Sequence, residues 1–429
     1  MEAFKLMAKP SDTIKRLLSQ GASELAGAKY EAARKTFETA LEIENDNISA
    51  NYFLAATLEE LDETDLAVET YLKVIKLDAT VRQAYIQLSN IFYTQDKKQS
   101  ALGILETARH QFPKDKDILY LRGQVAMQCL PGWHLPMLAD QERNDLYEKA
   151  INATVRTGDI ALDIGTGSGL LAMMAVRAGA AHVYACESEP FVAELARQIV
   201  EKNGLSDKIT VINKRSNDLV VGEDLPQKVD IVLTEIFDRA LVGEGILPTL
   251  NHAWKNLLND GARIIPQGAT LYGVVIECPH LQRFHHLETV NGFDLSEMNV
   301  LAHPLAYKDG MIDLQESEDH RILSEPFIIR KFDFRYPPPL NFREKCPVNF
   351  KQDGTGDAIL MWFDLHLTHD LTFSTQKPKP RNHWRQAAQI LLKPQPCEIS
   401  KPLMLKTYYR NYFDFELGKE TKKTLKKVK

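Results

Sequence analysis

Along the first third of the chain, apolar and small residues fall on a 34-residue grid. Ala33, Ala67 and Ala101 lie one period apart, and so do Ala40, Val74 and Ala108. Phe37, Tyr71 and Leu105 form a third column, and Asn45, Ala79 and Pro113 a fourth. Gly21, Ala55, Ser89 and Gly123 fall on the same grid. Small residues at such spacing let two helix backbones cross closely, a large apolar residue fills the groove between them, and a turn position follows. The pattern predicts stacked helical pairs from about residue 11 to residue 128.

This grid resembles the tetratricopeptide repeat, with three repeats and the first helix of a fourth over Asp117–Gln128. The resemblance implies a concave groove that holds a protein or peptide partner. Cys129-Leu130-Pro131-Gly132 then breaks the period. Met137, Leu138, Leu146 and Ile151 follow at helical spacing, with Pro136 near the helix start. Asp140 and Arg143, three apart, are expected on one face of that helix.

Next comes a strand, Ile160–Ile164, a glycine turn, Gly165-Thr166-Gly167-Ser168-Gly169, and a helix from Leu170 to Ala178. Glycines there allow a tight turn and let a ligand lie against bare backbone. A second strand, His182–Cys186, ends at Glu187, the place where an acidic residue accepts hydrogen bonds from ribose hydroxyls. A nicotinamide-binding domain shares these features. Asp163 before the glycines resembles the methyltransferase motif, which implies an S-adenosylmethionine site, and the GxGxG spacing serves a pyrophosphate poorly. Strands over Lys208–Asn213, Val229–Ile236 and from Ala262, with a helix over Glu244–Leu258, complete a doubly wound parallel sheet. Its ligands lie at the carboxyl ends of the strands, where Glu187, Ser216-Asn217-Asp218 and Glu235 fall.

From Thr270 the pattern changes to short alternating runs: Leu271–Glu277, Phe327–Phe334, Ala358–Leu367, Gln389–Leu392 and Met404–Tyr409. These predict an antiparallel β domain over about 269–417. The methyltransferase domain is expected over 133–268. The tail, 418–429, is lysine-rich and carries at most a weak nuclear address.

Composition narrows the chemistry. The formal charge of −6 gives no support to nucleic-acid binding. The five cysteines are scattered, with no zinc-ligand spacing, which predicts no metal site and fits a reducing compartment such as the cytoplasm. No run of about 18 apolar residues exists, so no membrane helix is expected.

The most specific signal follows the fourth strand. Glu235 and Glu244 bracket a loop at the cofactor end of the sheet, and two carboxylates there can receive the planar donor fork of a guanidinium. This paired-glutamate loop resembles that of the protein arginine methyltransferases. Met137, Asp140 and Arg143 match the family's N-terminal helix, and Asn382-His383-Trp384 its Thr-His-Trp loop. The resemblance covers about Trp133–Phe415. It is nearest to the branch that makes monomethyl or symmetric dimethyl arginine, on the evidence of Asp238 within the loop and of Gly243-Glu244-Gly245.

The resemblance implies a set of roles. Glu235, Glu244, His383 and Asp140 are catalytic, with Asp140 paired to His383. Met137, Arg143, Asp163, Gly165, Gly167, Glu187, Ser216 and Asn217 hold S-adenosylmethionine. Asp238 and Trp384 shape the arginine pocket. The β domain becomes a β-barrel with a helical dimerisation arm over about 288–324, and the protein a homodimer acting on arginine-containing proteins. There are departures. The family's aromatic YFxxY segment is replaced by Gln124–Gln128, Asn217 stands where many members are acidic, and Asn382 replaces threonine. Relatives in this branch carry two tandem modules, whereas this chain has one. Two other readings compete: a small-molecule methyltransferase on the same core, which would lack the glutamate pair and the His-Trp loop, and a repeat scaffold carrying a vestigial methyltransferase fold, against which intact Glu235, Glu244, Arg143, Glu187 and His383 argue.

Overall fold

The computed structural model describes residues 10–129, 132–279, 281, 287–300, 312–313, 320–376, 384, 386–410 and 412–419. The chain divides into two compact units, residues 1–132 and 133–429.

The first unit is a row of helices: α1 (Pro10–Ala26), α2 (Tyr30–Ile43), α3 (Ile48–Glu60), α4 (Thr64–Leu77), α5 (Arg82–Thr94), α6 (Lys98–Gln111) and α7 (Lys116–Cys129). Each helix packs on the next. The predicted columns are its core, for Ala33, Ala67, Ala101, Phe37, Tyr71, Leu105, Ala40, Val74 and Ala108 are all fully buried. The turns keep the same period. Ala28, Asp62 and Asp96 have φ of 55°, 60° and 59° and close the three hairpins at matching points. Aspartate tolerates this left-handed conformation better than most residues.

The second unit opens with α8 (His134–Leu138) and α9 (Gln141–Thr154). The apolar spacing predicted one continuous helix here. The structure breaks it because Asp140 has extended backbone and caps α9, its Oδ1 accepting from the Arg143 N–H at 3.1 Å. Asp140 therefore sits at the helix end, off the helical face that it was expected to share with Arg143. There follow β1 (Ile160–Ile164), α10 (Leu170–Arg177), β2 (His182–Cys186), α11 (Pro190–Lys202), β3 (Ile209–Ile212), β4 (Val229–Thr234), α12 (Ile246–Asn256) and β5 (Leu258–Ile265). The strands form a parallel sheet in the order β3-β2-β1-β4-β5. Chain order reverses between β1 and β4, and a ligand of such a sheet binds at that switch point. The helix expected from Glu244 begins two residues later, because Gly245 at φ 84° caps α12 and leaves Glu244 in the loop.

The remaining strands are antiparallel. Gly268–Glu277 pairs with Phe327–Asp333 on one side and Gly354–His366 on the other, and the latter pairs with Ala387–Cys397. A second sheet joins Phe342–Val348, Leu403–Tyr409 and Phe413–Gly418. One hydrophobic core runs from Tyr147 and Leu162 beneath the parallel sheet to Phe334, Phe363 and Leu405 in the antiparallel ones. The boundary expected near residue 268 is thus a change of architecture inside one compact unit. Much of the expected arm, including 301–311 and 314–319, lies outside the described residues, as do the lysine-rich 420–429.

Candidate active site

The carboxyl end of β1 feeds the glycine turn. Gly165, Gly167 and Gly169 have φ of 71°, 55° and 81°, which L side chains rarely adopt. A Cβ on Gly165 would also overlap Ile236 just past β4, so only glycine lets the two strand ends approach. Asp163, buried in β1, ties the turn to α10: its Oδ2 accepts from Thr166 Oγ1 at 2.6 Å and from the Ala172 N–H at 3.2 Å. Burial raises the Asp163 carboxyl to a pKa of about 6 against these hydrogen bonds. Glu187, at the end of β2, reaches back with Oε2 to accept from the Gly167 N–H at 3.1 Å, and its Oε1 accepts from the Glu189 N–H. Ser216 and Asn217 sit on a single 3-10 turn after β3. Both the Ser216 hydroxyl and the Thr249 hydroxyl of α12 donate to Asn217 Oδ1. Met137 is buried on α8.

Arg143 projects from α9 to the switch point. Its Nη2 donates to Glu235 Oε2 at 2.8 Å, with the two side chains only 3% and 6% exposed. Its Nη1 donates to Asn144 Oδ1 at 2.8 Å. Burial works against the Arg143 charge, but Glu235, with Tyr147 and Asp140, offsets this and the pKa rises. Beneath the pair lies Tyr147, which sequence reasoning missed. The guanidinium stands 5.2 Å from its ring centroid, and its hydroxyl donates to the Thr234 carbonyl at 3.2 Å. The available signal was spacing, for Tyr147 lies one helical turn after Arg143.

The loop from Glu235 to Gly245 is held from inside and from outside. Asp238 Oδ1 accepts from the N–H groups of Ala240 and Gly243 at 3.2 and 2.9 Å. A Cβ on Gly243 would overlap the Asp238 carboxylate. Asp238, expected to line the arginine pocket, thus spends one carboxylate oxygen on the loop's own backbone. Trp384 likewise lies under the loop. It is buried, donates from Nε1 to the Phe237 carbonyl at 2.6 Å, and packs on Phe363 and Phe373. Phe237 stacks on Phe334, and the Tyr409 hydroxyl donates to the Val242 carbonyl at 3.4 Å. Burial and the charge of Asp238 push that tyrosine up to about 12. Phe237 and Tyr409 were not picked out from the sequence, and Gly243 was picked out only as a mark of the branch. The outcome is a loop with Glu235 buried at its base and Glu244 exposed at its end. His383 lies outside the described residues, so its expected pairing with Asp140 does too.

These residues fit S-adenosylmethionine. The glycine turn presents bare backbone, with open space where a Gly167 Cβ would stand. Arg143 Nε is buried without a hydrogen-bond partner among the described residues, a donor in reserve for a carboxylate. Among the described residues no group of acids, histidines and cysteines could hold a metal, and no helix is long and apolar enough to cross a membrane.

Comparison with known proteins bears on the same region. The family described as "Arginine methyltransferase oligomerization subdomain" matches residues 267–408, and "Ribosomal protein L11 methyltransferase (PrmA)" matches residues 146–269. The "Arginine N(omega)-methyltransferase" of Streptomyces achromogenes subsp. streptozoticus is 33% identical over 338 residues, covering 79% of this chain and 90% of its own length. "Protein arginine N-methyltransferase 9" of Xenopus laevis is 34% identical over 62% of this chain, and "Protein arginine N-methyltransferase 7" of Aedes aegypti 34% over 59%. The chain spans 35% and 43% of the length of those two relatives. Among solved structures, the "Trypanosoma brucei PRMT1 enzyme-prozyme heterotetrameric complex with AdoHcy" aligns with a TM-score of 0.59 at 23% identity, over 69% of this chain and 95% of that one, which shows a shared fold. The chain belongs to the S-adenosylmethionine-dependent arginine methyltransferase family.

Proposed function

We propose that the protein transfers a methyl group to a terminal guanidino nitrogen of arginine residues in proteins, giving monomethyl or symmetric dimethyl arginine. The observation that carries this reading is the buried Arg143–Glu235 pair at the switch point of the sheet, beside a loop that ends at Glu244.

Arginine is a poor nucleophile because its charge is delocalised and its pKa lies above about 12. S-adenosylmethionine, when bound, supplies an electrophilic methyl on a sulfonium. What remains for the protein is position and electrostatics. Arg143 holds Glu235 through Oε2 and so sets the direction in which that carboxylate faces the acceptor. Glu235 and Glu244 draw the guanidinium charge toward two of its nitrogens and aim the third at the methyl. Arg143, Asp163, Gly165, Gly167, Glu187, Ser216, Asn217 and Met137 hold the cofactor. Asp140 and His383 orient the acceptor or take the released proton. Asp238 and Trp384 act one step back, by fixing the course of the loop.

The first unit is read as a tetratricopeptide array whose groove takes a partner peptide, supported by the period shared by Ala28, Asp62 and Asp96. A homodimer is supported by the match to an oligomerisation subdomain, and the cytoplasm, with a nuclear pool, is the expected location. A second acceptor, free arginine, is favoured by the Streptomyces relative, whose name specifies arginine without a protein. Mass analysis after incubation with an arginine peptide and with free arginine separates these readings. Monomethyl or symmetric dimethyl arginine in the peptide supports the proposal. An unmodified peptide beside methylated free arginine would overturn the protein acceptor, and an asymmetric product would overturn the assigned product type.

A further inference from the structure

Tyr147 is a fully buried phenol that the transfer chemistry above leaves unused. It follows Arg143 by one turn, on the face of α9 that also buries Ile151. Its ring and its hydroxyl serve different members of one pair. The Arg143 guanidinium stands 5.2 Å from the ring centroid, inside the ~6 Å over which an aromatic face attracts a cation. A ring beneath the guanidinium takes up none of its N–H groups. Nη2 stays with Glu235, Nη1 with Asn144, and Nε is left for the cofactor carboxylate.

The hydroxyl donates to the Thr234 carbonyl at 3.2 Å. That carbonyl belongs to the rigid peptide unit joining Thr234 to Glu235, so the bond fixes the plane from which the Glu235 side chain departs. Thr234 is itself fully buried, and its Oγ1 donates to the Ile164 carbonyl at 3.1 Å. Ile164 directly precedes Gly165. A continuous line of hydrogen bonds therefore runs from α9 through the end of β4 to the glycine turn. Packing asks only for the ring, which a phenylalanine would supply. The hydroxyl adds a fixed distance between the helix that carries Arg143 and the strand end that carries Glu235.

We propose that Tyr147 is a positioning residue that aligns the two halves of the reaction. Its ring holds Arg143 toward the cofactor, and its hydroxyl holds Glu235 toward the acceptor guanidinium. The second half rests on the protein-arginine reading above and deepens it. The first half depends only on the cofactor. Methyl transfer is sensitive to such alignment, since a misplacement of about 1 Å costs up to about a hundredfold in rate.

The test uses the full chain as wild type, Y147F, Y147M, E235Q and Y147F/E235Q. S-adenosylmethionine affinity is measured by calorimetry, stability by denaturant unfolding, and transfer by single turnover of labelled methyl onto an arginine peptide. Y147F keeps the ring, so it should bind the cofactor as wild type does and lower transfer at saturating cofactor about tenfold. Y147M refills the volume without an aromatic face, and should also weaken cofactor binding about tenfold. In the E235Q background Y147F should cost less than about twofold, because the carboxylate that it aims is gone. Full transfer by Y147F, or an undiminished loss on top of E235Q, would overturn the route through Glu235. Unchanged cofactor affinity in folded Y147M would overturn the route through Arg143. Losses that merely follow the unfolded fraction would overturn both. Failure of wild type to methylate the peptide while it binds the cofactor would instead sink the protein-arginine reading, with the Arg143 half still read by affinity.

Discussion

Arg143 Nη2 lies 2.8 Å from Glu235 Oε2, and both side chains are withdrawn from solvent. One comes from the first turn of α9 and the other from the end of β4, so the pair joins the cofactor side of the site to the acceptor side. Breaking a buried pair leaves a charge without compensation, at about 3–5 kcal/mol. Arg143→Ala should therefore lower stability by that order and abolish cofactor binding, as read by denaturant unfolding and by titration calorimetry. Arg143→Lys keeps the charge but loses the fork, and should weaken the cofactor at least tenfold. Unchanged affinity in both variants would remove Arg143 from the site.

The loop makes a steric prediction. A methyl group on Gly243 meets the Asp238 carboxylate, so Gly243→Ala should cut kcat at least tenfold with cofactor affinity intact. Shortening the obstructing side chain in Asp238→Ala/Gly243→Ala should recover less than full activity, because the two loop hydrogen bonds to Asp238 are lost. Full activity of the single alanine variant, measured by steady-state methyl transfer, would show that the loop is free to relax.

Trp384 makes a third. Its indole N–H holds the Phe237 carbonyl from below. Trp384→Phe keeps most of the packing and deletes that one donor, leaving a carbonyl unsatisfied at about 1–3 kcal/mol. The expectation is a fall in kcat with cofactor affinity preserved. A loss of cofactor affinity of the same size would place Trp384 in the cofactor site instead.

Asp163 gives a pH dependence with a definite sign. Its folded pKa is about 6 and its ordinary value 3.8. Between these values the folded state binds more protons than the unfolded one, so this group's contribution to stability falls as pH rises from about 4 to about 6 and is constant above. Compared with wild type, Asp163→Asn should thus gain about 2–3 kcal/mol in relative stability across that interval. Cofactor affinity should run the other way in wild type, declining below about pH 6 as the acceptor of the Thr166 and Ala172 bonds is protonated. Denaturant unfolding and cofactor titration at pH 4.5 and 7.5 check both signs.

Much of this was legible because the signals are periodic or tied to backbone chemistry. The alanine columns of the first unit and the strands Ile160–Ile164 and His182–Cys186 emerge as read, since burial on both faces or at fixed spacing leaves a strong imprint. The glycines before α10 and the glutamates around the loop carried the cofactor and acceptor. What was not legible depends on contacts distant in sequence. No spacing shows that Tyr409 supports Val242 or that Trp384 supports Phe237, whereas Tyr147, one helical turn after Arg143, was within reach of the spacing. The break at Asp140 was hidden for another reason. Met137, Leu138, Leu146 and Ile151 suit one helix, and only the cap, in which Asp140 takes the Arg143 N–H, divides it.

The central claim is that Glu235 and Glu244 together hold an arginine guanidinium. Its most direct test is transfer of labelled methyl from S-adenosylmethionine to an arginine peptide by wild type, Glu235→Gln and Glu244→Gln, with cofactor binding measured in parallel. The account predicts transfer by wild type and a loss of at least a hundredfold in each variant, with Glu244→Gln, at an exposed position of the loop, retaining cofactor affinity. Undiminished transfer in both variants would contradict it.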